Sequence, residues 1–212
     1  PTCLSSCPRS RGGQIVKLFY APQTRAVSSR WAIEEVAAPH DLIRLQFPDD
    51  LSNADLQKAN PLGQIPTLVD GEQVVTEASA IALYLADRFP QAGLAPAQHE
   101  RHDYYQWAFF VGAALEPHLL EVFLHTVRLP EAERSSERAR KAKEDFDRAL
   151  GIVNDHLATR LYLLGESFSM VDVICGSLLG WAQMMNLLEG FDHVRAYFKR
   201  VCTRPAFERA VH

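Results

Sequence analysis

The first ninety residues alternate short β-rich runs with stretches of helical period. Gln14–Tyr20 (QIVKLFY) reads as an opening strand. Arg25–Ala37 sets Val27 and Trp31 four apart and is followed by Pro39, so a helix is predicted there. Asp41–Phe47 alternates loosely as a second strand, Asp49–Asn53 is a polar loop, and Ala54–Ala59 suffices for one or two helical turns. Asn60-Pro61-Leu62-Gly63-Gln64 is a turn cluster. Asp70-Gly71 between Thr67–Val69 and Gln73–Thr76 signals a hairpin. Glu77–Phe89 carries Ile81, Leu85 and Phe89 on one face and stops at Pro90. The predicted order is β-α-β-α-β-β-α.

The pattern then changes. Pro90–Gln98 (PQAGLAPAQ) has no period and reads as a linker. No strand pattern follows it. Helices are predicted over His99–Val127 and Glu131–Leu157. Pro130 opens the second, Glu131 and Glu133 lie in its first turn, and Ala142, Phe146, Leu150, Val153 and Leu157 step by three and four. Ser169-Met170-Val171-Asp172 places a cap and an acid three residues on, a short capping box that signals folding rather than chemistry. Glu189–Val201 and Arg204–Val211 complete a helical half. The expected division is a tail over 1–14, an α/β domain over 15–90, a linker over 91–97 and an all-α domain over 98–212.

Composition narrows the function. With 22 Lys+Arg against 26 Asp+Glu the net charge is −4, which argues against a nucleic-acid partner. Val173–Leu188 is the longest uncharged run, too short and too polar to span a bilayer, so no membrane partner is expected. The first fourteen residues, PTCLSSCPRSRGGQ, lack the apolar segment of a secretory signal and are expected to fray; a cytoplasmic setting is expected. Cys3 and Cys7 have no further ligands nearby and no metal site is expected, while Cys175 and Cys202 sit in apolar helical patterns as inert thiols. The charged run Glu131–Arg148 reads as a solvated helix face with pairs such as Glu137–Lys141.

Four local patterns, in order along the chain, resemble the cytosolic glutathione transferases. Asn60-Pro61-Leu62-Gly63-Gln64-Ile65-Pro66 is similar to the family's N-P-x-G-x-[VI]-P segment. Thr76-Glu77-Ala78-Ser79-Ala80-Ile81 through Tyr84-Leu85 is similar to its T-E-S-x-A-I-x-x-Y-L helix. Phe168–Asp172 resembles its capping box, and Arg204-Pro205-Ala206-Phe207 its closing R-P-A-F. The resemblance spans about residues 15–210. Thr24-Arg25-Ala26-Val27 and Glu77-Ala78-Ser79-Ala80 bring it nearest to bacterial members.

The resemblance implies a thioredoxin-like domain and an all-helical domain, a homodimer, and an enzyme that adds glutathione to small apolar electrophiles. A free thiol has a pKa of about 8.5, so only about 3% is thiolate at pH 7. Lowering it by two units requires roughly 2.7 kcal/mol. A helix N-terminus supplies up to about 2 kcal/mol and a hydroxyl hydrogen bond to the charged sulfur about 1.5–3. One hydroxyl at the start of the first helix therefore suffices. Thr24 stands there, with Arg25 adding positive potential; Tyr20, at the end of the first strand, is the alternative. By the same resemblance Pro66 is cis and Ile65 pairs its backbone with the cysteinyl unit of glutathione. Gln64 reaches a carboxylate, Glu77 holds the γ-glutamyl ammonium, and the Ala78 N–H holds the γ-glutamyl carboxylate. The family usually has Ser at Ala78, so Ser79 is the candidate substitute. Tyr104, Trp107 and Val111 are expected to wall the second-substrate pocket. Two other readings keep the fold: a glutathione-dependent isomerase or reductase, and a non-catalytic assembly module. No Cys lies between Cys7 and Cys175, which disfavours thiol–disulfide chemistry.

Overall fold

A computed structural model describes residues 15–212. The expected tail and its Cys3–Cys7 spacing lie outside them. Strands β1 (Val16–Tyr20), β2 (His40–Arg44), β3 (Thr67–Asp70) and β4 (Gln73–Thr76) form one sheet in the order β2-β1-β3-β4. β1 is parallel to β2 and antiparallel to β3, with Leu18 opposite both Leu42 and Leu68. A parallel pair needs a crossover, which α1 (Ala26–Val36) provides. Successive β1 side chains point to opposite faces. Val16, Leu18 and Tyr20 enter the large core with α1 and α3 (Ala78–Arg88), whereas Phe19 packs with Leu45 and with Leu56 of α2 (Ala54–Ala59). Asn53 caps α2, its Oδ1 accepting from the Asp55 and Leu56 N–H groups at 3.0 and 3.1 Å.

The hairpin turns one residue later than the sequence pattern predicts. Asp70 remains in β3 opposite Gln73, and Gly71 takes the first turn position at φ 62°. The buried Asp70 carboxylate is held there by the Tyr84 hydroxyl at 2.7 Å and Arg88 Nε at 3.0 Å.

The helical half opens with one 27-residue helix, His102–Arg128. It comprises α4 (His102–Phe110), a π-helical stretch over Val111–Leu115, α5 (Glu116–Phe123) and a second π stretch over Leu124–Arg128. Pro117 accounts for the first wide turn. Proline has no N–H for an ordinary helical bond, and the preceding Glu116 N–H reaches back five residues to the Val111 carbonyl. The helix is long and apolar enough to cross a bilayer. Here its apolar stripe, including Leu115, Leu119 and Val122, is buried, and the helix packs on α6 (Ser136–His156) and α7 (Met170–Met184).

α6 begins later than predicted. Glu131–Glu133 is a 3-10 turn, Arg134 is extended, and the Ser135 hydroxyl caps the helix by accepting from the Arg138 N–H at 3.2 Å. Arg134 also donates to the Val127 and Leu129 carbonyls, closing the preceding helix. On α6, Lys141 pairs forward with Asp145 at 3.2 Å rather than back with Glu137. The capping box of α7 forms as predicted. Asp172 Oδ2 accepts from Ser169 N–H and Oγ–H, and Oδ1 accepts from the Leu163 N–H and the Tyr197 hydroxyl, all at 2.8–2.9 Å.

α1 is shared by both halves. Arg204 donates bidentately to Glu35 at 2.6 and 2.7 Å, and Arg209 of α9 (Pro205–Val211) donates to Glu34 at 2.6 Å. Gly176 of α7 lies so near Trp31 that a Cβ there would meet the ring at 2.9 Å. The expected linker is also fastened, with Leu94 buried and its carbonyl accepting the Met170 N–H at 2.8 Å. The observed architecture, a mixed α/β unit followed by an all-helical one, is the fold the resemblance implies.

Candidate active site

The loop between β1 and α1 sets the first part of the site. Gln23 takes φ 56°, and the chain re-enters helix through Thr24 and Arg25. Thr24 Oγ1 donates to the Ala21 carbonyl at 2.7 Å and accepts the Ala26 N–H at 3.2 Å, so it caps α1. The Arg25 N–H, at the positive end of the helix, has no partner among the described residues. The Tyr20 ring is buried on the core face of β1, with the Arg30 guanidinium 5.6 Å from its centroid.

The second part is the segment before β3. The Ile65–Pro66 bond is cis. Asn60, buried, donates to the Gln64 carbonyl and to Thr67 Oγ1, both at 3.1 Å, and accepts the Leu62 N–H at 3.1 Å. Thr67 Oγ1 donates to the same Gln64 carbonyl at 2.8 Å. Gly63 turns the chain at φ 62°, where a Cβ would come within 3.0 Å of the Leu51 carbonyl. The Asn and Gly of the motif thus fix the loop, leaving the Gln64 side chain exposed and Ile65 half-buried outside the strand ladders.

The third part is the start of α3. Glu77 is exposed at φ 67°, ψ 120°, a conformation uncommon for a side-chain-bearing residue. Its carbonyl accepts the Ile81 N–H, and α3 starts at Ala78, so the amides of Ala78, Ser79 and Ala80 have no intrahelical acceptors. Ser79 faces the helical half, where a Cβ on Gly112 would stand 3.9 Å from its Oγ.

The fourth part comes from the long helix and α7. Glu116 Oε2 accepts from Arg25 Nη2 at 2.5 Å. The Arg25 guanidinium carbon lies 5.8 Å from the Trp181 ring, which meets Phe123 edge-on at 5.3 Å. Burial holds the Glu116 carboxyl above the usual glutamate range; Arg25 opposes that rise and Glu77 adds to it. Burial also lowers the Arg25 pKa, against the pull of Glu116.

Three expected pocket residues are not at the surface. Tyr104, Trp107 and Val111 are 1%, 8% and 0% exposed and belong to the core. Trp107 packs on His156 and Phe110 at 4.4 and 5.4 Å. They lie on the stripe facing α6 and α7, whereas Gly112 and Glu116 face α3 and α1. Among the described residues, burial pushes the Cys175 thiol well up and the Cys202 thiol up to about 12, which disfavours the thiolate at both.

The models of the glutathione S-transferase N-terminal and C-terminal domains match residues 15–87 and 130–200. The chain belongs to the glutathione S-transferase family. Among its relatives is the glutathione S-transferase GstA of Escherichia coli O157:H7, 30% identical over 202 residues, covering 92% of this chain and 97% of GstA. Elongation factor 1-gamma of Prunus avium is 30% identical over 166 residues, covering 73% of this chain and 37% of the factor. The theta class glutathione S-transferase of Xanthomonas axonopodis pv. citri, solved with glutathione bound, is 26% identical with a TM-score of 0.80, covering 93% of this chain and 97% of that one. Within this glutathione S-transferase fold, sequence reasoning missed Glu116, Phe123 and Trp181. The helix predicted over His99–Val127 takes no account of Pro117, whose missing N–H is the one local signal of an unusual turn there.

Proposed function

We propose that the protein binds glutathione along the starts of α1, β3 and α3, ionises its thiol, and adds the thiolate to a small electrophile lodged against the helical half. One observation carries the reading. A single helix lies beside two helix N-termini, with Glu116 bonded to Arg25 just before α1 and Gly112 adjoining Ser79 in the first turn of α3. Two positive helix ends beside the same helix suit a ligand with a carboxylate at one end and a sulfur anion at the other.

In this reading the Ala78 and Ser79 amides take the γ-glutamyl carboxylate and Glu77 its ammonium. Ile65 gives its backbone to the cysteinyl unit and Gln64 reaches the glycyl end. Thr24 turns its hydroxyl from the Ala21 carbonyl to the sulfur, and the Arg25 amide adds a second donor. Membership in the family, and glutathione bound in the Xanthomonas axonopodis relative, support this. The test is the ultraviolet absorbance of glutathione thiolate, titrated over pH with the protein saturated. An apparent pKa near or below 7 is expected from the roughly 2.7 kcal/mol computed for a two-unit shift. An unshifted thiol overturns the catalytic reading.

A second reading, an assembly module that turns over nothing, is favoured by the likeness to elongation factor 1-gamma and by the capping bonds that already occupy the Thr24 hydroxyl. Absence of saturable glutathione binding would select it.

A further inference from the structure

Arg25 has fewer acceptors than its chemistry calls for. A guanidinium carries five N–H donors. One goes to Glu116, and Nε is buried without an acceptor among the described residues. Its neighbours Glu116, Trp181 and, beyond Trp181, Phe123 come from the long helix and α7. All three belong to the helical half, whereas the peptide of glutathione lies along β3 and α3 under the proposed function. The cation therefore stands on the second-substrate side of the groove, beside an aromatic wall.

We infer that Arg25, Trp181 and Phe123 form a subsite for an aromatic electrophile that carries a carboxylate. This deepens the proposed function and rests on it for the role of the occupant. The ring lies against Trp181 and Phe123, and the carboxylate takes the guanidinium N–H groups that Glu116 leaves free at the partly exposed end of the Arg25 side chain. Planar guanidinium suits this because its N–H edges match the two oxygens of a carboxylate. Glu116 holds the guanidinium in place while the subsite is empty and shares it when the guest arrives.

The subsite is coupled to glutathione. Glu116 stands one turn beyond Gly112, which adjoins Ser79 at the start of α3, so an ammonium received at Glu77 also attracts Glu116. That attraction loosens the hold of Glu116 on Arg25 and favours the guest carboxylate. Coupling of this kind is reciprocal: each ligand strengthens the other by the same factor.

The experiment is calorimetric titration of the whole chain with 3-nitrobenzoate and with its neutral analogue 3-nitrobenzamide, with and without S-methylglutathione. The expected result is benzoate binding at least tenfold tighter than amide. That preference should vanish in Arg25→Met, persist or grow in Glu116→Gln, and widen with S-methylglutathione present. Equal affinities in the wild type, or binding of neither probe, overturn the proposal before any variant is made. S-methylglutathione titrated alone reports on the other reading. If it fails to bind while the benzoate preference stands, the anion subsite survives and the glutathione reading falls.

Discussion

The Thr24 hydroxyl has both a donor and an acceptor within its own loop, so substitutions there act twice. Thr24→Val should lower stability by about 1 kcal/mol through the lost cap. It should separately raise the bound-thiol pKa by about one unit, because a bond to the charged form is lost. Thr24→Ser should restore both, and the thiolate titration and a melting curve read them independently. An unmoved thiol would pass the role to Tyr20 or to the Arg25 amide. At Glu77 the two effects have opposite signs. Glycine accepts φ 67° without penalty, so Glu77→Gly should melt no lower than the wild type while binding glutathione at least tenfold more weakly. Glu116 gives a pH test. Its folded-state pKa is raised, so its contribution to stability is full below the unfolded glutamate value and is lost as pH rises through the folded one. The melting temperature of the wild type relative to Glu116→Gln should therefore fall as pH climbs through that window.

At the scale of elements, the local signals were legible and the orientations were not. Asp172 shows what sequence can fix. A cap and an acid three residues apart announced α7, and the structure adds two distant donors, Leu163 N–H and the Tyr197 hydroxyl. Asp172→Ala strands these buried donors, so a loss of about 3 kcal/mol is expected, or roughly 6–12 °C in melting temperature for a chain this long. Tyr104, Trp107 and Val111 show what sequence leaves open. Their spacing put them on one face, but whether that face met the groove or the core depended on the docking of the whole helix. A stripe of large apolar side chains marks burial more often than a binding wall. The start of α6 was missed because Pro130 outweighed the weaker signal of Ser135. Glu116 was invisible because its partner, Arg25, lies ninety-one residues away in sequence.

For the whole molecule, α1 is where the halves are joined. Glu35 is 3% exposed in its side chain and takes three donors, two from Arg204 and one from Trp31 Nε1 at 2.9 Å. Arg204→Met should cost about 2 kcal/mol. That is the low side for breaking a buried pair, because Arg204 is itself partly exposed and Trp31 still donates. A single loss of secondary structure on heating, not two, would show the halves unfolding together. Leu62, Tyr105 and Phe109 remain exposed in the single chain. Sedimentation at micromolar concentration is expected to give twice the mass of 23.8 kDa that the resemblance to a dimeric family implies.

The fastening of Leu94 to Met170 has a further effect on how far the two halves can part. A loose connection would let the two halves swing apart like a jaw, with the groove wide when empty and narrow when full. Here the connection is stitched to α7, and α1 is clasped from the far side. The spacing of the two halves is thus set when the chain folds. The two halves are joined by a clasp, not a hinge.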